Sequence, residues 1–146
     1  MPTKKAETSG GFSAEEIAAM KERAAELRAE GRKGATKADG LAALLEAIEK
    51  LDGLDRELAE RLHVTVTKAA PGLNPKTWYG FPSYANDAGK VVAFFKPASK
   101  FKDRYATLGF ETSAALDDGD MWPVAFALVN WTPAVEKKIA ALIRKA

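Results

Sequence analysis

Cysteine is absent from the 146 residues, and histidine occurs once, at His63. These two absences exclude thiolate zinc sites, iron–sulfur clusters, disulfides and cysteine nucleophiles together. No run approaches the ~18 consecutive apolar residues of a membrane-spanning helix, so no membrane association is expected. The opening Met1-Pro-Thr-Lys-Lys lacks the apolar core of a secretory signal, and the expected location is therefore the cytosol. Charge of one sign is also missing, since 22 basic residues against 20 acidic ones leave a net +2. A balance that even argues against a dedicated nucleic-acid binder, which needs a Lys/Arg excess to neutralise phosphates. There is no Gly-x-Ser-x-Gly elbow, phosphate loop, Gly-x-Gly-x-x-Gly or His-Glu-x-x-His. Ser99-Lys-Phe-Lys102 matches Ser-x-x-Lys only formally, without its companion motifs. The expectation is a protein without catalytic machinery.

What is present is a globular composition, with 47% hydrophobic and 29% charged residues. Area scaling for a chain of this mass gives roughly 7,000 Å² folded against about 23,000 Å² extended, enough burial for a core without staples. Residues 1–12, which include Ser9-Gly10-Gly11, read as a disordered tail. Ser13 and Glu16 form a capping box that opens a helix, with Ile17, Met20, Ala24 and Leu27 as its apolar stripe. Gly31 and Gly34 stop it. A second helix is expected from Ala38 to Leu51, broken by Asp52-Gly53. A third follows to about Ala70, with Asp55 as its expected cap and Leu58, Leu62 and Val66 on its apolar side.

The pattern changes at Asn74. Thr77–Gly80 and Ser83–Asn86 read as strand interrupted by Pro82, which suggests an edge or a bulge. Asp87-Ala-Gly89 reads as a hairpin loop before a strand at Val91–Lys96. Tyr105–Phe110 and Trp122–Val129 alternate like strands, and Thr132-Pro133 caps a closing helix. The expected class is α+β: a two-layer sandwich with an antiparallel sheet of about four strands and helices on one face. The expected divisions are a tail over 1–12, an N-terminal helical extension over 13–37 and an α+β domain over 38–146.

Three pieces occur in order: Trp78-Tyr-Gly-Phe-Pro-Ser-Tyr84, Gly89-Lys-Val-Val-Ala-Phe-Phe95 and Tyr105-Ala-Thr-Leu-Gly-Phe110. With Ala115-Leu-Asp117 and the closing helix, they make the stretch over 40–146 resemble the YdhG-like family, a bacterial domain of unknown function. The resemblance implies a small α+β sandwich. Because one member is described as a frataxin-like iron chaperone, it also implies iron(II) as a ligand and an iron-accepting protein as a partner.

At 100° per residue, Glu15, Glu22 and Glu26 share one side of the first helix. Like charges four apart repel, and a hard cation such as iron(II) would relieve that repulsion through carboxylate oxygens. Read alone, the same ridge is also an ordinary solvated face. Asp117, Asp118 and Asp120 form a second acidic cluster whose spacing fails the calcium-loop pattern and reads as a polar turn that could add oxygen ligands. Nearly all the aromatics lie after residue 77. Trp78, Tyr79, Tyr84, Phe95, Tyr105 and Trp122 are the candidates for a ligand or partner surface on the sheet. Lys96, Lys100, Lys102 and Arg104 interleave with Phe95, Phe101 and Tyr105, a weak single-strand nucleic-acid pattern with Asp103 inside it. The narrow apolar stripe of the first helix needs a partner, either the sheet domain or a second copy in a homodimer.

Overall fold

The computed structural model describes residues 11–30 and 37–146. The expectations for residues 1–10 and for the stop at Gly31 and Gly34 lie outside the described residues. Helices α1 (Ala14–Glu30), α2 (Lys37–Glu49) and α3 (Gly53–Ala69) precede strands β1 (Asn74–Trp78), β2 (Phe81–Ala85), β3 (Val91–Lys96), β4 (Ala106–Phe110) and β5 (Ala125–Leu128). Helix α4 (Pro133–Lys145) closes the chain.

The helix starts follow local chemistry. Ser13 N–H donates to Glu16 Oε1 at 2.9 Å and Glu16 N–H donates to Ser13 Oγ at 3.1 Å, which completes the capping box. At α4, Thr132 Oγ1 accepts from Val135 N–H at 3.2 Å and Pro133 takes the first turn. Helix α3 departs from expectation, because Asp52 and not Asp55 stands at its cap position. Asp55 is buried, and its carboxylate accepts from Ala98 N–H at 3.1 Å, Ser99 N–H at 3.0 Å and the Ser99 hydroxyl. It therefore fixes the short 3₁₀ turn Ser99–Phe101 to the start of α3.

The sheet has five strands in the order β1-β2-β3-β4-β5, each antiparallel to the next. The fifth strand arises because Tyr79 and Gly80 form a two-residue hairpin turn with φ of 55° and 85°. Positive φ at both central residues matches the type I′ turn, whose twist suits the flanking strands. Pro82 sits in the second strand and not at an edge. The β2–β3 ladder begins only at Ser83 opposite Phe94, so the missing N–H of Pro82 breaks no bond to β3.

Register sorts the side chains. Tyr84 faces Ala93, Ala93 faces Phe110, Phe95 faces Leu108 and Leu108 faces Phe126, all on the helix-covered side. They pack with Leu44 and Ile48 of α2, Leu58, Leu62 and Val66 of α3, and Ile139 and Ile143 of α4. Each fully buried Leu, Ile or Phe contributes about 1.5–3 kcal/mol. Trp78, Phe81, Ser83, Phe94, Lys96, Thr107, Gly109, Ala125 and Ala127 occupy the opposite side. There the Phe94 ring lies across Gly109, filling the space a Cβ would take.

Candidate functional site

The predicted oxygen ridge of α1 points inward. Glu15 Oε2 holds Lys102 Nζ at 2.9 Å and Glu22 Oε1 holds Lys100 Nζ at 2.8 Å. Lys102, by hydrogen bond and charge, holds the Glu15 carboxyl below the ordinary carboxylate range. Glu26 accepts Tyr79 N–H at 2.8 Å on one oxygen and Gly80 N–H at 2.9 Å on the other. The ridge is thus the seam that docks α1 on the β1–β2 turn and the 3₁₀ turn, which corrects its reading as an open metal surface. Ala19 is the buried apolar residue of α1, while Met20 and Leu27 of the expected stripe remain exposed. Asp117, Asp118 and Asp120 are exposed on the connection between β4 and β5. Among the described residues, no group of three or more acidic or histidine side chains is placed to hold a metal ion.

The expected aromatic surface divides. Tyr84 and Phe95 are 1% and 0% exposed and belong to the core, because their register places them under the helices. Trp122 is half-buried and packs against the same core. Trp78 and Tyr79 are half-buried at the far end of the opposite face, where Trp78, Phe81, Phe94 and Phe101 cluster edge-on or tilted with centroids 5.3–5.9 Å apart. Tyr105 is exposed, with the Arg104 guanidinium 4.9 Å above its ring. The basic run is engaged as well: Lys96 with Asp103 at 3.4 Å, Lys100 with Glu22 and Lys102 with Glu15.

His63 sits half-buried on the flank of α3, with Nδ1 2.9 Å from the Tyr84 hydroxyl. Burial pushes the Tyr84 phenol far above its ordinary range and pulls His63 below its own. Tyr84 therefore keeps its proton and the imidazole stays neutral, the two sharing one hydrogen bond between Nδ1 and the hydroxyl. The pair lies within the core layer and serves packing.

One surface was not anticipated from the sequence. Phe110 N–H donates to Val124 C=O at 2.8 Å. Antiparallel alternation then turns the backbone of Phe126 and Leu128 toward β4 and that of Ala125 and Ala127 away from the sheet. Strand β5 ends the sheet, and among the described residues these outward N–H and C=O groups have no backbone partner. Between β5 and α4 lies a groove of about 330 Å³ lined by Phe126, Leu128, Val135, Ile139 and Leu142. Val129 is exposed in its lining, and Lys138 Nζ stands there 5.7 Å from the Phe126 ring centroid. The only hint in the sequence was the lack of any charge from Met121 to Trp131.

No family model, curated protein or solved structure matches the chain. Among the described residues, no helix is long and apolar enough to cross a membrane.

Proposed function

We propose that the protein is a non-catalytic interaction module that accepts an extended peptide segment along the edge of β5. The observation that carries this reading is the open backbone of Ala125 and Ala127 beside an apolar groove. Strand addition uses such groups for affinity and a neighbouring pocket for alternate side chains. Natural sheets blunt their edges with short strands, lysine, proline or bulges; β5 is short, at four residues, but carries no lysine, proline or bulge within Ala125–Leu128. The partner segment has apolar residues at alternate positions to enter the groove. Lys138, for which no carboxylate partner is found among the described residues, selects an acidic residue beside them. Iron(II) handling, the sharper expectation from the family resemblance, draws no support from carboxylates already bonded to lysines and backbone.

The test is fluorescence polarisation with labelled peptides that alternate valine or leucine with polar residues and carry one aspartate. Ala127→Pro removes an outward N–H and no bond to β4, so the fold tolerates it. The expected result is saturable binding that weakens at least about tenfold in Ala127→Pro at an unchanged thermal midpoint. Equal affinity in the two proteins, or no binding across the panel, overturns the reading.

A further inference from the structure

The β1–β2 turn does more than reverse the chain. Consecutive N–H groups of two residues with positive φ converge into a concavity suited to an anion. Tyr79 and Gly80 aim both of theirs at one carboxylate, at 2.8 and 2.9 Å. Bonds of this kind to an ionised acceptor are roughly twice as strong as neutral ones. The surroundings are mixed in charge: Lys100 Nζ lies 3.3 Å from Gly80 C=O and 2.8 Å from Glu22, and Glu46, Lys50 and Asp52 line the same groove. Gly80 has φ of 85°, and a Cβ there would push aside the ends of the Glu22 and Lys100 side chains. Next to the turn, a groove of about 540 Å³ runs between α1 and α2 over Thr77, Pro82 and Ser99.

We infer that the Tyr79–Gly80 turn is an anion receptor with Glu26 as its resident occupant, and that a small phosphate- or carboxylate-bearing ligand in the adjoining groove competes for it and loosens the Glu26 end of α1. The hold on α1 is mostly polar, with Ala19 buried and Ile17 half-buried beside it. Displacing the Glu26 carboxylate by another group of the same chemistry therefore removes the two backbone hydrogen bonds that pin the later turns of the helix, while the Glu15–Lys102 pair still holds its start. A tethered competitor acts at an effective concentration of about millimolar, so an outside ligand binds weakly while Glu26 is present. Lys100 belongs to the 3₁₀ turn and not to α1, so it stays behind to meet the incoming anion.

The experiment is an amide NMR titration of the full chain with inorganic phosphate, and separately with acetate, at constant ionic strength. Phosphate is expected to shift the Tyr79 and Gly80 amides in the wild type and to reduce hydrogen-exchange protection along α1. Glu26→Gln removes the competitor and is expected to tighten phosphate binding about tenfold. Lys100→Ala in that background is expected to reverse most of the gain. Tighter binding of phosphate than acetate assigns the ligand as phosphorylated, and the opposite order assigns a carboxylate. Binding no tighter in Glu26→Gln, or shifts confined to residues outside the turn, overturns the inference. If Glu26→Gln does not fold, the wild-type titration decides alone, because unmoved Tyr79 and Gly80 amides also overturn it.

Discussion

Nδ1 of His63 and the hydroxyl of Tyr84 lie 2.9 Å apart and tie α3 to β2 through a polar bond inside an apolar layer. Burial favours neutral imidazole in the folded chain, whereas unfolded His63 titrates near its ordinary 6.5. Below that pH the unfolded chain takes the proton more readily, so this contribution is whole above 6.5 and falls as pH drops toward the lower folded value. Denaturant midpoints measured downward from pH 7 are expected to decline across that window, and His63→Gln is expected to remove this part of the decline.

Tyr84→Phe removes the hydroxyl and leaves Nδ1 without this partner. The expected cost is about 1–2 kcal/mol in urea unfolding. The fall with acidity persists in this variant, because burial and not the tyrosine bond lowers the His63 value.

Gly40 stands inside α2, where replacement by alanine ordinarily stabilises a helix by about 1 kcal/mol. Here a Cβ would run into the Pro75 carbonyl of β1. That obstacle is backbone and cannot swing aside, so Gly40→Ala is expected to lower stability by about 1–3 kcal/mol. Thermal unfolding checks the sign.

Replacing Glu15, Glu22 and Glu26 together by glutamine is expected to free α1, seen as faster amide exchange over residues 14–30, while protection in β2–β4 is retained. An anaerobic iron(II) titration of the same pair of proteins separates the two uses of the ridge. Heats that are equal before and after the change fit a docking seam. Saturable micromolar heat lost in the variant returns the carboxylates to metal binding.

The closing helix and the start of α1 were legible because caps are local: Thr132-Pro133 and Ser13…Glu16 state their own geometry. Strand β3 was legible over its full Val91–Lys96 span for the same reason, bounded by its hairpin loop. The first hairpin was not. Tyrosine is a poor signal for positive φ, so Thr77–Asn86 read as one interrupted strand and the sheet came out one strand short. Asp55 misled in a related way, since a carboxylate near a helix start resembles a cap until Ala98 and Ser99 arrive from residues far along the chain.

The site was less legible than the fold. Angular position showed that Glu15, Glu22 and Glu26 share a side, but not which side meets the protein. Periodicity assigns the apolar stripe inward by default. Here lysines and backbone donors from 53 to 87 residues away made the charged side the better fit. Tyr84 and Phe95 show the same limit in the sheet, because membership of a face depends on register, and register depends on the turn that went unrecognised.

The docking of α1 is graded along its length, and this gives the helix a direction of release. At its start, Glu15 meets a Lys102 side chain that is 77% exposed, a contact that dissolved salt screens. Near its end, Glu26 is 12% exposed and anchored to backbone that has nowhere to go. Raising ionic strength therefore peels the helix from its first turn while the last stays pinned, so that α1 swings like a door on Glu26 before it leaves.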